Sequence, residues 1–251
     1  MNRSHPYRWL NVIAFAAVII VNYLAMSLPI GGRSTSEISD TYPTLITPAG
    51  YAFSIWSLIY LLLAGFVIYQ ASRGKDRESV HSIGIFFVLS CVFNIAWIFL
   101  WQYGYVEIAL VDIVLLLLSL IVLYVRTRAI ERPSLGEIWF LKVPFAIYLG
   151  WVSVATILNV SIALVKNNWN GFGISAETWA VVVLLIGAVL AVLVSFPYRD
   201  SVYPLVFVWA YIAIASKQHD NSTVLYTSWI LAGLLFLYAV GLFFLRNRSR
   251  D

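Results

Sequence analysis

The sequence predicts an all-α fold, a polytopic bundle of about eight transmembrane helices, and three observations carry that reading. The 251 residues are 61% hydrophobic and 11% charged, with a mean hydropathy of +0.86; soluble domains are roughly 45–50% apolar and 25% charged. Apolar stretches of about 20 residues recur along the chain, the length a helix needs to cross a bilayer. Nothing alternates with a period of two, so a transmembrane barrel is excluded, and helices remain as the open-ended way to satisfy the backbone in lipid. A secreted disulfide fold is excluded because Cys91 is alone. Nucleic acid is not an expected partner: the pI of 9.2 comes from basic residues scattered between apolar runs rather than gathered on one face.

The predicted spans are Asn11 to Leu28, Tyr51 to Ala71, Val80 to Trp101, Val106 to Val125, Ile138 to Val165, Trp179 to Phe196, Val202 to Ser216 and Val224 to Leu245. At 15 residues, the stretch from Val202 to Ser216 is either a short span or a re-entrant segment. An N-terminus placed inside puts Arg3, Arg8, Arg73, Lys75, Arg77, Arg126, Arg128, Arg132, Lys142, Arg199, Arg246, Arg248 and Arg250 on the cytoplasmic side. That is 13 of 16 basic residues, with only Arg33, Lys166 and Lys217 elsewhere, as the positive-inside rule requires. The expected location is therefore the cell (inner) membrane of a bacterial-type cell, multi-pass, with both termini cytoplasmic. A cleaved leader is the alternative for the first span, but no small-residue cleavage site precedes Gly31. The first external loop, Pro29 to Gly50, holds Pro29, Gly31, Gly32, Pro43 and Pro48, which block helix, and reads as a lid or a solvated connector.

Polar residues inside the spans are few. Asn22, Asn94, Asp112 and Asn159 each lie six or seven residues from the external end of a span, roughly 9 to 11 Å deep. One polar layer is the expectation, with Asn94 or Asn159 as the partner of Asp112; Asp112 reads equally as interhelical glue and as a ligand contact. Aromatic stripes at helical spacing join the layer: Phe53, Trp56 and Tyr60; Asn94, Trp97 and Trp101; Tyr148, Trp151, Ala155 and Asn159. Converging indoles and amides suit a large, flat, mostly apolar ligand. Trp9, Trp101, Trp139, Trp169 and Trp179 read as interface-belt or loop residues. His5, His81 and His219 sit at span edges or termini, and no metal-ligand or triad spacing occurs, so the chain leans away from being an enzyme.

At Trp56-Ser-Leu-Ile-Tyr60, Asn94-Ile-Ala-Trp97, Ala109-Leu-Val-Asp112 and Tyr148-Leu-Gly-Trp151-Val-Ser-Val-Ala155-Thr-Ile-Leu-Asn159, the chain resembles the TspO/MBR family, the tryptophan-rich sensory proteins related to the mitochondrial translocator protein. The resemblance covers about residues 7 to 166 and implies a five-helix bundle, residues 1–166, followed by an appended three-helix module, residues 167–251. It implies binding of tetrapyrroles such as protoporphyrin IX with no required cofactor, and a role in sensing, transport or light-dependent porphyrin breakdown. Trp56, Tyr60, Asn94, Trp97, Asp112, Tyr148, Trp151, Ala155 and Asn159 would be the ligand contacts. Departures from the family pattern are a single Pro48 where two prolines are usual, Ile147 where helix five carries proline with Pro144 three residues earlier, and Val160 and Leu164 in place of a sterol motif. The lipid bilayer and a hydrophobic small molecule are the expected partners, and a homodimer is left open. The rival reading is a proton- or cation-coupled transporter using Asp112. A retinal protein is disfavoured because Lys142, Lys166 and Lys217 sit at span ends.

Overall fold

A computed structural model of the chain describes residues 7–28, 30–71 and 78–248. Arg3, His5, Pro29, Arg73, Lys75, Arg77 and Arg250, on which part of the charge and loop reading rests, lie outside the described residues. The elements run α1 (Arg8–Ser27), α2 (Thr35–Thr41), a 3-10 turn (Gly50–Ser54), α3 (Ile55–Ala71), α4 (Glu78–His81), α5 (Phe86–Gln102), α6 (Val106–Arg128), α7 (Leu135–Glu137), a π turn (Ile138–Lys142), α8 (Val143–Lys166), α9 (Ala176–Ser195), α10 (Tyr203–Lys217) and α11 (Ser222–Arg248). All eight predicted spans therefore coincide with helices, in an all-helical polytopic architecture. Among the described residues, six helical segments are long and apolar enough to cross a membrane, while α5 and α10 are shorter apolar helices. Large apolar side chains such as Leu61 and Ile68, each 70% exposed, face outward, which suits hydrocarbon contact and would be costly in water.

Local chemistry explains where the boundaries depart from expectation. The third span starts at Phe86 rather than Val80, because Gly84 takes a left-handed φ of 58° between α4 and α5. In the loop expected to resist helix, Ser34 and Glu37 form a capping box. The Glu37 amide donates to the Ser34 hydroxyl at 3.3 Å and the Ser34 amide donates to the Glu37 carboxylate at 2.6 Å, so α2 starts there. That bond from the Ser34 amide, more than the neighbouring Arg33 charge, holds the Glu37 carboxyl below its ordinary range. A second capping box at Ser134 and Glu137 starts the fifth span. The π turn then precedes Pro144, which has no amide to give Phe140, and the widened turn is closed by the Val143 amide reaching the Ile138 carbonyl. The displaced proline therefore reshapes the entry to α8 and leaves its later part regular.

The chain packs as two compact units, one of residues 1–38 and 55–152, the other of residues 39–54 and 153–251. This packing boundary falls inside α8, whereas the motif-based boundary at residue 166 falls at its end. In the first unit α5 packs on α1 and α6, and α3 packs on α1. Phe66, Phe87 and Phe145 meet edge to face at 4.9 to 6.3 Å, forming its apolar centre. At one end Asn11 donates to Gln70 at 2.9 Å, both buried, and the Gln70 amide reaches the Arg8 carbonyl at 3.4 Å. At the other, Gln102 accepts from the Ile30 amide and donates to the Ala25 carbonyl, each at 3.1 Å. A Cβ on Gly31 would meet the Gln102 carbonyl oxygen at 2.0 Å, so only glycine fits that approach.

In the second unit α10 packs on both α9 and α11. Ten of its 15 residues are buried, so a helix of roughly 22 Å is shielded by protein rather than matched to bilayer thickness. The Tyr211 hydroxyl donates to the Leu184 carbonyl at 2.6 Å, and a Cβ built on Gly187 would sit 2.5 Å from that hydroxyl. Gly187→Ala is expected to push the Tyr211 hydroxyl off Leu184 and destabilise the second unit by about 1–3 kcal/mol. The melting temperature of the purified variant in detergent, measured against Gly233→Ala, where a Cβ meets nothing, checks this.

Candidate functional site: an aromatic cluster on a buried amide

The polar layer expected from depth counting forms in part. The Asn22 amide donates to the Asn94 side-chain oxygen at 2.9 Å and to its own helix at the Val18 carbonyl at 3.0 Å. The Asn94 amide donates to the Tyr148 hydroxyl at 3.1 Å, and the Tyr60 hydroxyl lies 3.5 Å from both polar atoms of Asn94. One buried amide thus ties α1, α3, α5 and α8 together. The reason is solvation: an amide in hydrocarbon has no water to bond, so its partners must come from neighbouring helices.

Above this node the aromatic rings converge on Trp56. Its indole stacks on Tyr60 at 5.6 Å and 18°, meets Tyr148 at 5.8 Å and 75°, Trp151 at 6.4 Å and 90°, and Trp97 at 6.5 Å and 35°. The spacing of four residues between Trp56 and Tyr60 on α3 makes their stacking possible. Trp97 and Trp151 are 3% and 2% exposed, so both indoles turn away from lipid. Phe53 does not belong to this helical stripe, because it falls in the 3-10 turn before α3.

The structure corrects the reading of Trp101 as a belt residue. It is 2% exposed, stacks on Trp97 at 5.4 Å and 18°, and donates its indole N–H to the Thr35 carbonyl at 3.2 Å. Its position one turn after Trp97 was the available signal. Trp9 and Trp139, at 72% and 59% exposure, do face outward as a belt should. Trp169 and Trp179 meet at 5.1 Å, and the Trp179 indole donates to the Gly171 carbonyl at 2.9 Å, closing the loop before α9. The Asn11 and Gln70 pair was missed because Asn11 stands at the edge of the apolar window.

Asp112 does not meet Asn94, whose side-chain partners are Asn22, Tyr60 and Tyr148. It lies in α6, is 8% exposed, and its Oδ2 has no hydrogen-bond partner among the described residues. Ala155 and Asn159 lie in the second unit, where the Asn159 amide donates to the Ala155 carbonyl at 2.8 Å. Of the nine expected ligand contacts, Trp56, Tyr60, Asn94, Trp97, Tyr148 and Trp151 therefore touch one another in one connected group.

A family profile described as TSPO-like protein matches residues 8–241. No curated protein matches the chain, and no solved structure does. The match runs through the last three apolar helices, well past the residue 166 at which the motif resemblance stops. With an all-helical bundle, the Trp56-centred cluster and a match over nearly its whole length, the chain belongs to the TSPO-like protein family.

Proposed function

We propose that this TSPO-like membrane protein binds a porphyrin, protoporphyrin IX or a similar flat hydrophobic compound, at the Trp56 cluster. The observation that carries the reading is the contact of one indole with four other rings from α3, α5 and α8, over the hydroxyls and amide of Tyr60, Tyr148 and Asn94. Ring faces of this kind stack on a planar π system, and the few polar atoms orient its substituents. The rings now occupy one another's faces, so a ligand enters by exchanging ring–ring contact for ring–ligand contact. The binding serves a sensing or transport-related role, or light-dependent processing in which an electron-rich indole donates to the excited ligand. The protein sits in the inner membrane with both termini cytoplasmic.

Titration of the purified protein with protoporphyrin IX should quench tryptophan fluorescence with a saturable profile; the absence of saturation overturns the reading. Trp56→Phe and Trp151→Phe keep a stacking face and should weaken affinity by less than about tenfold, roughly 1.4 kcal/mol. Both should strongly slow light-driven loss of the porphyrin absorbance, because phenylalanine is a much poorer electron donor than indole.

The buried Oδ2 of Asp112, which has no hydrogen-bond partner among the described residues, favours one second reading, a proton- or cation-coupled transporter. Proteoliposomes separate the two. For a binding protein, Asp112→Asn leaves folding intact and porphyrin affinity within about tenfold. Gradient-driven uptake that is lost in Asp112→Asn while binding persists would establish the transporter instead.

A further inference from the structure

Three indoles of the first unit form a connected series. The Trp56 ring on α3 meets Trp97 on α5 at 6.5 Å and 35°, and Trp97 stacks on Trp101 at 5.4 Å and 18°. The second contact follows from a spacing of four residues on one helix. Packing alone does not call for indoles at these places, because phenylalanine or leucine fills a core without an N–H that needs a partner. Indole differs from them in being readily oxidised by one electron. Electron exchange between rings falls steeply with their separation, so a positive charge passes between rings in contact far faster than between rings a helix apart.

The series also has a direction. Trp56 stands in the first turn of α3 and Trp101 in the last turn of α5. A helix carries positive partial charge at its N-terminal end and negative partial charge at its C-terminal end, so a cation radical is disfavoured at Trp56 and favoured at Trp101. The Trp101 N–H donates to the Thr35 carbonyl at 3.2 Å. Oxidation makes that N–H more acidic and the bond stronger, which stabilises the charged ring further. Stacking lets Trp97 and Trp101 share the charge. Both rings are at most 3% exposed, so little water reaches them to take the N–H proton. The surface begins just beyond, at half-buried Thr35 and at Tyr103, which is 59% exposed.

We propose that Trp56, Trp97 and Trp101 are an electron relay, which moves oxidising charge from a photoexcited flat ligand at Trp56 to the C-terminal end of α5. Trp56 gives one electron to the excited ligand, leaving a ligand radical anion and an indole radical cation. Trp97 then reduces Trp56, and Trp101 reduces Trp97. A water-soluble one-electron reductant of the ascorbate class restores Trp101, losing one electron and one proton. The ligand radical anion passes its extra electron to dioxygen as superoxide. The net activity is light-driven transfer of one electron from that reductant to dioxygen. The ligand takes the place of Tyr60, Tyr148 or Trp151 against Trp56, and the contact with Trp97 is the one the relay keeps. The ligand end of the relay rests on the porphyrin reading above.

The test uses the full-length protein in detergent, loaded with protoporphyrin IX to equal occupancy in each variant and flashed without oxygen while the tryptophan radical is followed by transient absorption. The radical should be longest-lived in the wild type and shorter in Trp101→Phe. It should be shortest in Trp97→Phe, about tenfold or more below the wild type. Trp9→Phe, at a 72% exposed site, should match the wild type. Added ascorbate should quench the radical strongly in the wild type and weakly in Trp97→Phe. A purely structural role for these rings would change affinity, which equal occupancy removes, and would not order the lifetimes along the series. Bound protoporphyrin IX with the same radical lifetime in the wild type, Trp97→Phe and Trp101→Phe overturns the relay and leaves the porphyrin reading standing. The absence of saturable tryptophan quenching by protoporphyrin IX overturns the porphyrin reading, and the relay with it.

Discussion

The absence of water in hydrocarbon is the constraint on which the rest of this structure depends, and Asn94 is where it acts most strongly. A side-chain amide in a spanning helix must find its partners within the protein. Here they are Asn22, Tyr148 and Tyr60, from three other helices. Interhelical hydrogen bonds in membranes average about 0.6 kcal/mol each, so this node contributes on the order of 1–2 kcal/mol. Its larger effect is on register. Satisfying the amide fixes the rotation of α3 and α8, and with it the faces on which Trp56 and Trp151 stand.

The same constraint gives the aromatic cluster its character. Indole and phenol rings supply contact area without needing partners over their faces, so they fill the space around the node while Trp101 sends its one donor to the Thr35 carbonyl. Asp112 stands apart from the node: among the described residues its buried carboxyl oxygen Oδ2 has no hydrogen-bond donor. Leaving such a group unpaired costs free energy, which is why it carries the competing transporter reading. In the second unit α10 plays the part that Asn94 plays in the first: α9, α11 and residues 39–54 all pack on it, so a helix too short to span comfortably becomes the centre of its unit.

Much of the fold was legible because apolar run length is a direct consequence of bilayer thickness, and all eight predicted stretches are helices. Counting depth from span ends brought Asn22 and Asn94 together, since rise per residue is constant in a helix. The same count failed for Asp112 and Asn94, because depth says nothing about rotation about the helix axis. Trp101 was misjudged for the opposite reason. Its place at a span end suggested the interface, while its spacing from Trp97 and Asn94 pointed inward and proved the better guide. Capping chemistry at Ser34 was readable but outweighed by the surrounding prolines and glycines. The pairing of residues 39–54 with α10 links positions about 160 apart in the chain, and no local pattern encodes it.

The central claim is that the Asn94 node holds the rings in the arrangement a flat ligand needs. Asn94→Leu tests it most directly, because leucine keeps comparable bulk and does not lower helix propensity, while Asn22 keeps its bond to the Val18 carbonyl. The account predicts a variant that remains helical by far-UV circular dichroism yet loses much of its near-UV tryptophan signal and its saturable quenching by protoporphyrin IX. A variant that keeps both the near-UV signal and the quenching would contradict it.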